Sequence, residues 1–188
     1  ENSIGNQTSV SNLNISDEGL HPENVGAFSF DGEGTPTQNI KLVRNGILTN
    51  LLHSEATARK FGVKPTGHAG LGAKVSVSPD WLVVSKSESE KDKDESLSVK
   101  NTLKEYILID ELSAIHSGVK ASQGSFSLPF DGWIVNNGNK TSIEAATIAG
   151  DILKVLKSIV NIENEQIVTH QGISPHVWVD NISITGEA

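Results

Sequence analysis

The chain contains no cysteine and no methionine among its 188 residues. Without cysteine, disulfide bonds and thiolate metal ligands are excluded, so a small secreted scaffold held by disulfides is not expected. No apolar run approaches the roughly 18 residues that a membrane-spanning helix needs. These absences predict a soluble cytoplasmic protein with no membrane partner.

Positive charge is also scarce. The chain has 15 Lys and Arg against 23 Asp and Glu, which gives a net charge of −8. Such a balance repels phosphate backbones, so direct binding of nucleic acid is not expected.

The length predicts a single domain over residues 1–188, because 188 residues can bury one substantial core but not two ordinary ones. Residues 1–15 are polar and rich in Asn and Ser, which indicates a loose lead-in or an edge strand. Residues 86–96 carry eight charges and no apolar residue, which predicts a solvated, mobile loop. The start at Glu1 and the missing methionine indicate that the chain is not a complete translated protein.

Two Asn-Gly dipeptides, Asn45-Gly46 and Asn137-Gly138, lie between short apolar runs. This dipeptide tolerates the two positive φ angles of a type I′ turn, so each predicts an antiparallel hairpin.

Helical signals are short. Ser54 can cap a helix of about two turns that Gly62 ends, and apolar residues recur at helical spacing over 151–160. The spacing of Val99, Leu103 and Tyr106 predicts a further helix that runs into a strand over 107–112. Alternation over 177–184 changes parity near residues 180–181, which indicates a bulge in the last strand.

About three short helices and at least seven strands predict an α+β fold. It should be β-rich, with a mostly antiparallel sheet.

Asp31 and Glu33 lie two residues apart in a glycine-spaced loop. The spacing allows two interpretations. The carboxylates could do acid/base work or bind a hard cation, or they could accept backbone N–H bonds in a tight turn, which is the commoner case.

The glycine-rich run over residues 67–74 suggests phosphate binding at first sight, but its spacing matches neither the Walker pattern nor the dinucleotide pattern. Close approach of another backbone explains the glycines better. Six histidines are present, yet none forms a helical pair with metal-ligand spacing, and the nearest two, His170 and His176, flank a loop. We therefore expect no metal site in this chain.

Several of these motifs occur in an order that resembles the C-terminal domain of the TldD/PmbA family. The resemblance covers about residues 16–186 and is carried by Phe30, Asp31, Glu33, Gly34, and residues 45–48, 58–64, 66–70, 132–138, 148–150 and 174–186. It implies that an N-terminal domain is absent from this chain.

The resemblance is stronger to the PmbA (TldE) type, the subunit that carries no metal. In the TldD type, a His-Glu-x-x-x-His helix and a cysteine hold zinc, and this chain has neither. The resemblance implies a domain of a cytoplasmic peptidase complex that acts on unfolded peptides. Its partner would be a TldD-like subunit or a second copy, and zinc would belong to the partner subunit.

The resemblance also implies that two loops border a peptide cleft. The expected cleft residues are Asp31, Glu33, Gly34, Thr35, Thr66, Gly67, His68 and Gly70. A bulky residue at position 67 should then weaken peptide processing more than folding. Two other interpretations stay open: an active zinc peptidase whose ligands lie in the absent domain, and a non-enzymatic modulator of a topoisomerase or a toxin system.

Overall fold

A computed structural model describes residues 3–87 and 103–187. The described chain divides into two compact units. The first contains residues 3–87 and Ile162–His176, and the second contains residues 103–161 and 177–187. The single domain predicted for residues 1–188 stays a prediction.

The described residues form thirteen strands and three helices. In chain order these are β1 (Leu13–Glu18), β2 (Asn39–Arg44), β3 (Ile47–Leu48), α1 (Glu55–Phe61), β4 (Ala69–Gly70), β5 (Ser76–Val77), β6 (Leu82–Lys86), β7 (Glu105–Leu112), α2 (Ile115–Gly118), β8 (Val119–Lys120), β9 (Ser125–Asn136), β10 (Asn139–Asp151), α3 (Ile152–Lys157), β11 (Ile159–Val168), β12 (Gly172–Val179) and β13 (Ser183–Glu187). The β-rich α+β class is confirmed.

The first sheet has six strands in the order β11-β12-β6-β1-β2-β3. The pairs β1–β2, β1–β6 and β2–β3 are antiparallel, whereas β12 and β6 are parallel. Strand β1 is interior, and Leu13 is only 1% exposed. The end of the expected lead-in, residues 13–15, therefore lies in a central strand and not at an edge.

Both Asn-Gly hairpins are confirmed. The φ angles are 50° and 77° at Asn45 and Gly46, and 48° and 85° at Asn137 and Gly138. The first dipeptide joins β2 to β3 and the second joins β9 to β10. The local conformational preference of the dipeptide thus fixed the register of both pairs.

Helix α1 forms where its end signals predict it. The Ser54 side chain accepts a bond from the Thr57 N–H, Arg59 and Lys60 lie in the last turn, and Gly62 ends the helix with φ 68°. No helix in residues 3–87 or 103–187 is long and apolar enough to cross a membrane.

The second unit contains a sheet in the order β13-β10-β9-β7, with β8 beside β9. Alternate side chains of β9 and β10 point to the same face and form its core. The buried members are Leu128, Phe130, Ile143, Ala146 and Ile148.

The helix predicted from Val99, Leu103 and Tyr106 is wrong where the structure describes it. Tyr106 lies in β7, where it pairs with Val135 of β9. Its ring packs edge-on against Trp178, with centroids 5.0 Å apart. Strand pairing and this aromatic contact outweigh the weak helical spacing. Val99 and residues 88–96 of the predicted mobile loop lie outside the described residues.

Two other predicted elements differ from the structure. The helix expected over 151–160 is only six residues long, because Asp151 caps it and Ile159 already starts β11. The bulge expected at 180–181 is a break between two strands, since β12 pairs with β6 and β13 pairs with β10. Asn181 adopts φ 56° at the break.

The two hairpin glycines provide a matched pair for a stability test. A Cβ at Gly46 would lie 2.7 Å from the Ser9 carbonyl oxygen, whereas a Cβ at Gly138 would meet nothing within 4 Å. Gly138→Ala should lower the free energy of unfolding by about 1 kcal/mol, through strain at positive φ. Gly46→Ala should lower it by a further ~1–3 kcal/mol because the Cβ overlaps backbone atoms. Urea unfolding of both variants measures the difference, and equal losses would contradict this account.

Candidate functional site

The loops at residues 31–35 and 66–70, which we call the paired loops, lie against each other. The Ala69 N–H donates to Oδ2 of Asp31 at 2.9 Å, and the Gly32 N–H donates to the Ala69 carbonyl at 2.8 Å. The two segments that the sequence assigns to one site are therefore neighbours in space.

The carboxylate of Asp31 organises its own loop as well. Its Oδ1 accepts from the N–H groups of Glu33 and Thr35, both at 2.9 Å. With three backbone donors on two oxygens, this side chain makes a tight turn and links it to the second loop.

Glu33 has a similar structural contact. Its Oε2 accepts from the Glu55 N–H at 2.8 Å, at the first residue of α1. An acidic group at a helix N-terminus binds an otherwise unpaired N–H and interacts favourably with the helix dipole. Of the two interpretations that the sequence leaves open, the geometry favours the tight turn over an acid/base pair.

The glycines of the paired loops differ in the space around them. Gly34 has φ 82° and no atom within 4 Å of an added Cβ, whereas Gly67 has φ 77° and its Cβ would lie 2.8 Å from the Thr37 Cα. Gly67 is thus a point of close backbone approach. A bulky residue there should disturb folding first, contrary to the expectation from the sequence.

Within the second loop, His68 and Thr66 are buried, at 3% and 8% exposed. The Nδ1 of His68 lies 3.0 Å from the Thr66 hydroxyl. That hydroxyl accepts from the His53 N–H at 2.8 Å and donates to the His53 carbonyl at 3.2 Å. These bonds attach the second loop to the segment that precedes α1.

The other ring nitrogen of His68 faces a buried carboxylate. Nε2 lies 3.4 Å from Oδ1 of Asp17, which is 0% exposed. The separation exceeds that of a good N–H···O hydrogen bond, so the attraction is mainly electrostatic. Asp17 also accepts from the N–H groups of Asp80 at 2.9 Å and Trp81 at 3.3 Å.

The pKa values of His68 and Asp80 are both shifted from their ordinary values. Burial lowers the pKa of His68, but the close contact and charge of Asp17, the charge of Asp80 and the Thr66 contact outweigh it, so the pKa is raised above 6.5. Asp80 is exposed as a residue, yet an added Cβ at Gly19 would lie 2.9 Å from its Oδ2. Desolvation and the neighbouring charge of Asp17 raise the pKa of Asp80, although His68 partly offsets them.

Sequence reasoning missed Asp17 and Asp80. A signal for Asp17 was present, because Leu13, Ile15 and Asp17 alternate along β1 and so share its buried face. An acidic residue at an inward position requires a partner. The identity of that partner could not be read from spacing, since His68 and Asp17 are 51 positions apart.

Large apolar side chains flank the paired loops on the outside. Phe28, Phe30 and Leu71 are 74%, 65% and 70% exposed. Leu71 lies directly against Gly32, whose added Cβ would be 2.7 Å from the Leu71 Cγ.

A cavity of about 350 Å³ lies in the second unit and is lined by residues such as Gly150 and Lys154. None of the predicted site residues lines it.

Comparison with known proteins shows similarity to the family that the sequence resembles. A family model described as the PmbA/TldA metallopeptidase C-terminal domain matches residues 1–186. The Metalloprotease PmbA of Escherichia coli O157:H7 is 30% identical over 167 residues, which are 87% of this chain and 33% of that protein. This chain therefore spans about a third of the length of that relative.

Solved structures share the fold. A protein of Thermotoga maritima, named as a candidate modulator of a DNA gyrase, has a TM-score of 0.81 at 32% identity, over 97% of this chain and 41% of that chain. TldE of Thermococcus kodakarensis has a TM-score of 0.78 at 20% identity, over 98% of this chain and 42% of that one. The second likeness concerns the fold alone.

The relatives' names imply a metal, but the donor groups here do not fit one. Among residues 3–87 and 103–187, no group of three or more His, Asp or Glu is placed to hold an ion. The buried His68 has Nδ1 on Thr66 and Nε2 facing Asp17. Zinc sites need three or four convergent ligands, which the described residues do not supply.

The role of Asp31 as a link between the paired loops can be tested with Asp31→Asn. The new amide N–H2 would oppose either the N–H of Ala69 or the N–H groups of Glu33 and Thr35, so we expect the free energy of unfolding to fall by about 1–3 kcal/mol. Glu33→Gln is the matched control, because it keeps an oxygen for the Glu55 N–H and should cost less than ~1 kcal/mol. Thermal and urea unfolding measure both, and an Asp31→Asn loss no larger than the control's would contradict the role.

Proposed function

Because the chain belongs to the PmbA/TldD family of metallopeptidase homologues, we propose that it is a domain of a PmbA-like peptidase subunit. In this proposal the paired loops form one wall of a cleft for extended peptides. The partner is a TldD-like subunit or a second copy of the protein.

The observation that carries the proposal is the direct joining of the paired loops through Asp31 and Ala69. The first loop lies at the surface beside the exposed side chains of Phe30 and Leu71, whereas residues 66–69 of the second loop are buried. Exposed apolar side chains beside a loop that is held in place are suited to binding an extended peptide. Both backbone groups and side chains contribute to such binding.

Catalytic zinc is proposed to lie in the partner subunit. The chain has no cysteine, and the described residues bring no three ligands together. The role of this domain is then to bind and orient the peptide, and the bond cleavage belongs to groups outside it. The alternative source of ligands is the part of such a subunit that corresponds to the two thirds of the relative's length that this chain does not cover.

Peptide binding at the wall can be tested in the full-length protein assembled with its partner. Phe30→Ser and Leu71→Ser should each weaken binding of a fluorescent unfolded peptide by about 5- to 20-fold, since each removes an apolar contact of about 1–2 kcal/mol. Stability should change little, because both side chains are exposed.

Val160→Ser is the control, since Val160 is also exposed, at 61%, but belongs to the second unit. Fluorescence anisotropy gives the affinities. If all three variants bind the peptide alike, or if none differs from the unmodified protein, the paired loops do not form the wall.

The proposal that catalytic zinc lies outside this chain can be tested separately. The purified chain, dialysed against micromolar zinc and then washed, should retain well below one zinc per chain, because a tight site needs several convergent donors. Elemental analysis measures the ratio. A stoichiometric ion would contradict the assignment, and His68, His170 and His176 would then be the residues to substitute first.

A further inference from the structure

The buried group of Asp17, Thr66 and His68, which we call the latch, is not explained by peptide binding. Asp17 and His68 are 0% and 3% exposed, so neither faces a peptide. Yet the latch connects β1, through Asp17, to the second of the paired loops, through His68. It therefore positions one loop of the wall from below.

The contacts of His68 fit an imidazole that carries both protons. The Thr66 hydroxyl lies 3.2 Å from the His53 carbonyl and 3.0 Å from Nδ1 of His68, so Nδ1 can donate to the hydroxyl oxygen while the hydroxyl donates to the carbonyl. Nε2 faces the carboxylate of Asp17 at 3.4 Å, where a lone pair would be repelled. A doubly protonated ring therefore directs one N–H at each neighbour.

Asp17 cannot move without affecting a second segment. Its Oδ2 and Oδ1 accept from the Asp80 and Trp81 N–H groups, which lie just before β6. A carboxylate held by two backbone donors is a fixed counter-charge, so a change in the charge of His68 acts on the segment that carries the histidine. That segment is the loop at 66–70.

We propose that His68 is an imidazolium in the folded protein and acts as a proton-controlled latch for the loop at residues 66–70. When His68 loses its proton, the charge attraction to Asp17 is lost, only the contact of a neutral N–H with the carboxylate remains, and the loop loosens. The consequence for peptide binding rests on the proposed function, whereas the titration and the loosening do not.

Several ionisable groups surround the latch, and they belong to different segments. Those that face it directly or through a neighbour are Asp17 on β1, Asp80 before β6, Asp31 in the other paired loop, His53 through Thr66, and His21, which stacks on the Trp81 ring at 6.5 Å. The acidic members favour the charged imidazole, and no Lys or Arg contributes to its shift.

The sign of the pH dependence follows from the raised pKa of His68. A group that binds its proton more tightly in the folded state stabilises that state fully below its unfolded pKa of about 6.5, and the contribution is lost as pH rises through the folded pKa. The raised pKa of Asp80 has the same sign, but its contribution begins to be lost from about pH 3.8, below the range in which His68 titrates. Mildly acidic pH should therefore close the latch, and alkaline pH should release it.

The first measurement is an NMR titration of the histidine imidazoles in the full-length protein. His68→Gln assigns the signal, and His116→Gln, a change at an exposed histidine of the second unit, is the control. We expect the His68 midpoint above 6.5 and its fall in Asp17→Asn. A midpoint at or below 6.5 in the unmodified protein overturns the proposal.

The second measurement is amide exchange at Thr66 and Ser78, whose N–H groups bond to His53 and His68 carbonyls. As the pH rises through the folded pKa of His68, the opening equilibrium constant, corrected for intrinsic exchange rates, should increase. The total increase should be about tenfold for each unit by which the folded pKa of His68 exceeds the unfolded pKa. The increase should be absent in His68→Gln and at amides of the β9–β10 hairpin. Exchange that rises equally in His68→Gln would overturn the latch.

Peptide affinity at pH 6 and pH 9 separates this proposal from the proposed function. A loss of affinity at pH 9 in the unmodified protein, but not in His68→Gln, supports control of the wall by the latch. Unchanged affinity alongside pH-dependent exchange overturns that control. If Phe30→Ser binds the peptide normally, the wall assignment fails, while the histidine titration still decides the latch.

Discussion

The first unit depends on carboxylates that are removed from water and must find donors within the protein. Asp17 is the strongest case, because it is fully buried in an interior strand. An isolated carboxylate in such a place would cost several kcal/mol, so backbone N–H groups and a histidine have to converge on it. The approach to β6 and the loop that carries His68 are positioned by this requirement.

In the paired loops, carboxylates also accept hydrogen bonds from backbone donors of the protein. Asp31 accepts three backbone N–H groups, and Glu33 accepts the first N–H of α1. Carboxylates used in this way are poor candidates for acid/base catalysis, since their lone pairs are already directed at fixed donors. Their value lies in holding two loops and a helix start at fixed distances, which is what a binding wall requires.

The features that the sequence predicted well are local. Asn45-Gly46, Asn137-Gly138 and the Ser54 cap each act within four or five residues, so their geometry follows from φ preference and one hydrogen bond. The failures have non-local causes. Tyr106 joins a strand because β9 and Trp178 are available to it, and the strand that ends at Val179 breaks because the next one pairs elsewhere.

In the candidate site too, some features could be predicted from the sequence and others depend on non-local contacts. The resemblance to relatives brought the loops at 31–35 and 66–70 into one hypothesis, and the structure places them together. Neither spacing nor resemblance revealed that Asp17 lies beneath them. A buried acid on an inward strand position indicates that a partner exists, but its identity depends on the three-dimensional fold.

The polar groups around His68 are directed at one another. Nδ1 lies 3.0 Å from the Thr66 hydroxyl, and Nε2 lies 3.4 Å from the buried carboxylate of Asp17. An imidazole and a carboxylate in such a position respond to protons, because the charge of the imidazole determines how strongly the two attract each other. In the proposed function, the latch is therefore the means by which pH adjusts the wall that the paired loops form.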